Sequence, residues 1–310
     1  MTRRLKPNLP ITYYHVVTRC AQQMYWLENP AFKQLFVALL NRFRKIFYVD
    51  VLAYVMMDTH LHLCLAVHKP AYDEADIQRR FELSQDYLCN PRPFHGAMAQ
   101  HYYDRYTDLS SFVGILKWYF SRRHNKIMET TGTFWEGPFK SIVIEDDAHL
   151  MHCLSYIELN PVRAQIVALP EDFAYCSAHH IKTALENGEK DPTPAVSSLS
   201  QLPDDERGEA YLALNRFLAR VVLEGADIKQ GIPRHRIPEF LSYWLGSRLL
   251  NETLQAFSDK RLSRWGSRVY GSEAFTEQIL GQANSVPTSA GRSASTQQGA
   301  LRGSATMAPT

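Results

Sequence analysis

The hydrophobic pattern changes period several times along the chain, and each change predicts an element. Ile11 to Arg19 is dense in β-branched and aromatic residues and predicts a first strand. Asn29-Pro30 then opens a helical pattern over Ala31 to Tyr48, with Phe32, Leu35, Phe36, Leu39, Leu40, Phe43 and Phe47 at helical spacing. Val49 to Met56 predicts a second strand, and the residues around Asp58-Thr59 either turn the chain or bulge the strand onward. From His60 the pattern alternates with period two. His60, His62 and Cys64 should share one face, and Leu61, Leu63, Leu65 and Val67 the other.

Pro70 to about Asp108 breaks the pattern with mixed charge and Asn90-Pro91-Arg92-Pro93, and reads as an insertion of helical pieces and loop. The helical period returns at Leu109, where Phe112, Ile115, Leu116, Tyr119 and Phe120 form one face and Ser110 or Ser111 is available as a cap. Thr133 to Glu145 predicts a further strand, bent or at an edge around Gly137-Pro138. Asp146-Asp147 caps a short helix from Ala148 to about Leu159, ended by Pro161. Its apolar stripe is Leu150, Leu154 and Ile157, while Tyr156 and Asn160, four apart, share another stripe near His149 and His152.

Pro170 to Lys190 closes a first module spanning 8–190, with the insertion at about 70–108 inside it. Residues 191–205, holding Pro192, Pro194, Pro203 and serines, read as a linker. Helical patterns follow at Glu206 to Glu224 and Pro238 to Ser258, so 206–280 is expected to be a helical C-terminal region. Residues 281–310 lack any pattern that builds a core and are expected to be a disordered tail.

Composition narrows the class. At 310 residues and 45% hydrophobic, the chain holds one substantial core and room for a smaller module. No apolar run reaches membrane-spanning length and the N-terminus has no leader pattern, so no membrane partner is expected. The five cysteines form no CxxC pair and are odd in number, which fits a reducing compartment. A net charge of +2 says little by itself, but the charge is concentrated locally: Lys117 to Lys126 holds four cations and three aromatics without an acid. That run suits nucleic-acid contact, and suits equally a solvated helix end whose cations complement the dipole.

Two imidazoles on one strand face supply a divalent ion with two ligands and leave positions for a third side chain, water or a substrate oxygen. A neighbouring helix presenting Tyr156 and Asn160 offers both a ligand and a nucleophile. The chemistry so reached is phosphoryl transfer to tyrosine, provided that strand and helix meet.

His60-Leu61-His62, preceded by Tyr54-Val-Met-Met-Asp-Thr, resembles the His-hydrophobic-His signature of the single-tyrosine HUH nucleases. Gly132-Thr-Phe-Trp-Glu-Gly-Pro-Phe-Lys140 and Tyr156-Ile-Glu-Leu-Asn160-Pro-Val-Arg-Ala164 resemble the REP-associated tyrosine transposases of the IS200-like family, in consistent order from about Thr12 to His180. The resemblance implies an α+β fold, a ferredoxin-like antiparallel sheet backed by helices. It also implies that Mg²⁺ or Mn²⁺ is bound by His60, His62 and Asn160, and that Tyr156 attacks single-stranded DNA to leave a 5′-phosphotyrosine and a free 3′-hydroxyl. The partner implied is single-stranded or hairpin DNA, handled in the cytoplasm at the nucleoid. Lys117, Trp118, Arg122, Arg123, Lys126, Lys140 and Arg163 are the expected DNA contacts. The oligomeric state stays open. The chain departs from the family at Pro138, where the subgroup carries an arginine that would contact phosphate, and in the insertion at 70–108. Two other readings stand beside the transposase: a hairpin-binding protein without turnover, and a hydrolase working through metal-bound water.

Overall fold

The structure is a computed structural model that describes residues 5–85, 91–146, 148–189, 193–194, 199, 202–224, 237–239, 241, 247–256 and 268–285. At its centre is a sheet in the order β2-β3-β1-β4-β5. The strands are β1 (Ile11–Arg19), β2 (Val49–Met56), β3 (His60–His68), β4 (Lys140–Ile144) and β5 (Val269–Tyr270). The first four pair antiparallel and β5 joins β4 in parallel, so β1 to β4 have the ferredoxin-like order that the resemblance implies.

β1 and β2 have the bounds that the hydrophobic pattern predicts. The Asp58-Thr59 alternatives resolve as a turn, and the β-bulge lies instead at Val51/Ala53. Helix α1 (Pro30–Phe43) begins where Asn29 accepts the Ala31 amide at 2.9 Å, but ends before the predicted Tyr48. The insertion contributes α2 (Glu74–Gln85) and α3 (Ala99–Tyr106), which pack beside the end of α1. Arg80 of α2 donates to the carbonyls of Lys45, Ile46 and Phe47 and stacks on the Tyr48 ring at 3.8 Å, giving these carbonyls partners outside a helix. Burial alone would raise the carboxyl of Asp76, but hydrogen bonds from Arg80, Tyr48 and Arg79 hold it below its usual range.

Helix α4 (Leu109–Ile127) is capped by Asp108, which accepts from the Ser111 amide at 2.9 Å. The cap is therefore neither Ser110 nor Ser111; Ser111 lies within the first turn, and its hydroxyl too turns to Asp108. The strand predicted over Thr133 to Glu145 shrinks to β4, because Gly137-Pro138 interrupts pairing. Upstream of it only an isolated bridge joins Trp135 to Cys20.

α1 and α4 cover one face of the sheet, where their aromatic stripes meet Leu61, Leu63, Leu65 and Val67. The other face is covered by α5 (Ala148–Glu158), which continues into α6 (Asn160–Arg163), and beyond these by α7 (Ser177–Glu186) and α8 (Asp204–Leu223). Leu150, Leu154 and Ile157 of α5 are fully buried there, as the predicted stripe requires. Leu199 and Leu202, from the stretch read as a linker, are also in that core. Of the helix predicted from Pro238 to Ser258, the described part is residues 238–239, 241 and α9 (Ser247–Ala256). α10 (Glu273–Ser285) runs into the stretch read as a tail, and residues 286–310 lie outside the described residues, as do Asp147 and 257–267. Among the described residues, no helix is long and apolar enough to cross a membrane.

Candidate functional site

The alternation in β3 sends its histidines to the α5 side. Across the pairing, His60 lies opposite Arg19, His62 opposite Val17, and Cys64 opposite His15. His15 is therefore diagonal to His62 on the same face, within reach of a ring-to-ring contact. The two rings stack with centroids 5.1 Å apart, and His15 Nε2 lies 2.8 Å from His62 Nδ1. His60 turns its edge to His62 at 5.1 Å, and its Nδ1 lies 2.9 Å from the Thr59 hydroxyl.

Helix α5 closes over this row, and Tyr156 reaches it. Its ring centroid is 5.8 Å from that of His15 and 6.0 Å from that of His62. The Arg163 guanidinium lies over the same phenol ring, 4.6 Å from its centroid. The sequence left open whether strand and helix meet; in the fold they do.

Backbone pins hold the histidine turn. Asp58 is paired with the buried Lys33 of α1 at 2.6 Å, its carbonyl accepts from the Leu27 amide, and the Thr59 carbonyl accepts from Cys20. On the helix side, the buried Glu158 carboxyl accepts from the Ser177 hydroxyl at 2.6 Å and the Ala178 amide at 3.0 Å, tying the end of α5 to the start of α7. Burial pushes the Glu158 carboxyl up to about 7 despite those bonds.

Desolvation also sets the state of the site. Burial pushes His15 and His60 down to about 4 and His62 well below its ordinary value, with the charges of His15, His60, Arg19 and Arg163 adding to the effect at His62. All three rings are therefore neutral at neutral pH, the form in which imidazole binds a metal. Burial raises the Tyr156 phenol, while Arg163 and Arg19 pull it the other way. The phenol is protonated at rest and needs a polarised electrophile to act as a nucleophile.

Asn160 follows Tyr156 by one helical turn. Its side-chain amide donates to the carbonyls of Tyr156 and Ile157 at 2.9 and 3.1 Å, which leaves its oxygen as the free acceptor. Among the described residues, no hydrogen bond joins it to a histidine. Among the described residues, no three His, Cys, Asp or Glu side chains are grouped to hold an ion, so a cation here would need a neutral oxygen beside the imidazoles.

The expected DNA contacts divide between two places. Lys140 lies opposite Val17, on the histidine face, and with Arg19 and Arg163 makes that side of the site cationic. Lys117, Trp118, Arg122, Arg123 and Lys126 are on α4, which packs against the leucine face on the other side of the sheet. Lys117 donates to the Gly137 carbonyl at 2.6 Å and lies over the Trp135 ring. Trp118 is 51% exposed, with Arg122 stacked on it at 4.8 Å. Arg123 and Lys126 are exposed. His152, which the sequence places near Tyr156, is buried and hydrogen-bonded through Nδ1 to the Tyr270 hydroxyl.

His15 and Arg19 are absent from the residues singled out in the sequence. Both lie in β1 with the parity that faces α5, but that parity gains meaning only once the pairing register with β3 is known.

No protein-family model matches the chain, and no curated protein matches it. A solved structure described as "Structure of the REP associates tyrosine transposase bound to a REP hairpin" is similar, at 15% identity and a TM-score of 0.40, over 59% of this chain and 86% of that one.

Proposed function

We propose that the protein is a metal-dependent endonuclease and strand transferase of the REP-associated tyrosine transposase type, acting on single-stranded or hairpin DNA. The observation that carries this reading is the meeting of Tyr156 with His15 and His62 beneath the Arg163 guanidinium. A nucleophile, the imidazoles of His15 and His62 and a cation converge on one side of the sheet. The motif resemblance of His60-Leu61-His62 and Tyr156 to Ala164 supports the same reading.

In the proposed reaction the Tyr156 hydroxyl oxygen attacks a backbone phosphorus. The oxygen–phosphorus bond forms as the bond to the 3′-oxygen breaks. The DNA 5′-phosphate is left on tyrosine, and the phenol proton is finally carried by the released 3′-hydroxyl. Arg163, Arg19 and Lys140 bring positive charge to the phosphate. A divalent ion, Mg²⁺ or Mn²⁺, would be held by Nε2 of His60 and His62 with the Asn160 oxygen as third ligand, and would polarise the scissile phosphate. The donor set fits such an ion: Thr59 and His15 take the Nδ1 atoms, which leaves each Nε2 open. The exposed Trp118 and Arg122 would stack and track unpaired DNA outside the reaction centre. The setting is the nucleoid.

The test is incubation with single-stranded hairpin oligonucleotides and Mg²⁺ or Mn²⁺, followed by a denaturing gel. A covalent 5′-linked adduct is expected that vanishes in Tyr156→Phe and in His60→Ala. Cleavage surviving in Tyr156→Phe would transfer the reading to a hydrolase. Binding without cleavage by the wild type would transfer it to a hairpin-binding protein without turnover.

A further inference from the structure

His15 is the buried polar residue of the site that touches neither the ion nor the phosphate in the proposed reaction. It is 1% exposed, its Nε2 lies 2.8 Å from His62 Nδ1, and its own Nδ1 is buried without a hydrogen-bond partner. A neutral imidazole has one N–H and one lone pair, so the short contact admits two proton arrangements. In one, His62 donates from Nδ1 to His15 and turns a lone pair on Nε2 toward the cleft. In the other, His15 donates, and His62 turns an N–H to the cleft and cannot bind a cation through that nitrogen.

The surroundings favour the first arrangement. The Arg163 guanidinium lies over the Tyr156 ring, itself 6.0 Å from the His62 ring, and Arg19 stands opposite His60 on the same face of the sheet; positive charge on this side favours a lone pair over an N–H dipole pointing toward it. Turning the His62 ring over would lose the Nδ1 contact with His15. We propose that His15 is a positioning residue, which accepts the Nδ1 proton of His62 and so presets His62 Nε2 as a lone-pair donor for a divalent cation. The cation's part in this rests on the proposed function; the proton arrangement does not.

The arrangement has a consequence that sets it apart from packing. With Nε2 accepting, His15 carries its proton on Nδ1, a buried donor with no partner. Replacing His15 by phenylalanine removes that donor but leaves His62 Nδ1 without its partner, so the two costs offset and the thermal midpoint should move little while cation binding weakens. A residue kept for packing would lose both together.

Nitrogen-15 spectra of histidine-labelled, metal-free protein test the proton arrangement, with the His62 signals assigned through His62→Gln. The expected result is an Nδ1–H His62 in the wild type and the ordinary Nε2–H form in His15→Phe. Calorimetric titration with MnCl₂ should show affinity falling about 10- to 100-fold in His15→Phe, the range known for residues that hydrogen-bond a metal-ligating histidine. It should be partly restored in His15→Gln, whose amide oxygen can accept the same proton. If wild-type His62 carries its proton on Nε2, the proposal is overturned whatever the enzyme does. Mn²⁺ affinity unchanged in His15→Phe would overturn it too. A wild type that takes up no Mn²⁺ while His62 keeps Nδ1–H would instead sink the metal reading of the site and uphold the contact.

Discussion

At mid-strand the two faces of β3 are buried almost equally and differ in chemistry. Leu63 is 1% exposed and its neighbour His62 is 4% exposed. Toward α1 and α4 the strand shows leucines and a valine to an aromatic core; toward α5 it shows two histidines to a third histidine and a tyrosine. Burying a leucine stabilises the fold by roughly 1.5–3 kcal/mol, whereas a buried polar atom without a partner costs about 1–3 kcal/mol. The histidine face therefore forgoes stability that the leucine face gains from the same backbone. Such a local concession has a reason when the residues involved converge on one chemical task, as these do around Tyr156.

The sharpest way to break this comparison is a matched pair of substitutions. Tyr156→Phe removes one oxygen from the histidine face, and the covalent adduct should fall below detection while denaturant midpoints barely move. Leu63→Ala removes a fully packed side chain from the other face and should cost about 2–5 kcal/mol in urea unfolding, with adduct yield per folded molecule unchanged. If Tyr156→Phe unfolds the protein, or Leu63→Ala abolishes the adduct in folded protein, the two faces do not divide site from scaffold.

That division was legible in the sequence to the extent that it is local. Alternation from His60 to Val67 predicts both faces, and helical spacing predicts the stripe of Leu150, Leu154 and Ile157. What depends on pairing was not legible. His15 lies in β1 as one aromatic among several, and only the register with β3 brings it to His62. α1 stops at Phe43, and Arg80, far along the chain, donates to the carbonyls beyond it. The α4 cluster read as a DNA surface is on that helix as expected, but which side of the sheet the helix covers follows from topology alone.

The insertion offers a second, milder way to disturb the leucine side alone. Asp76 receives hydrogen bonds from Arg79, Arg80 and the Tyr48 hydroxyl, and so ties α2 to the end of α1. Its carboxyl is held below the usual value of 3.8. A carboxyl depressed in the fold contributes stability that is present above the unfolded value and is lost as pH falls through the folded one. Asp76→Asn should therefore cost about 1–2 kcal/mol at pH 7, discounted for its partial exposure, and its difference from wild type should shrink below pH 4. Denaturant unfolding at pH 7 and pH 3 reads both. A loss that is the same at the two pH values would show that packing, not charge, holds the insertion in place.

The smallest effect expected separates the reaction centre from the far side of the sheet. Trp118 is half exposed on α4 with Arg122 over its ring, so its removal leaves the core intact. A base stacked on such a surface contributes about 1 kcal/mol at the low end of measured stacking, which corresponds to roughly fivefold in affinity. Trp118→Ala should weaken binding of a long single-stranded oligonucleotide by that factor and leave binding of one just long enough to span Tyr156 unchanged. Fluorescence anisotropy with the two lengths makes the measurement. Equal losses for both lengths would bring α4 to the reaction centre and erase the separation between the two faces; no loss for either would return the basic run to a solvated helix end.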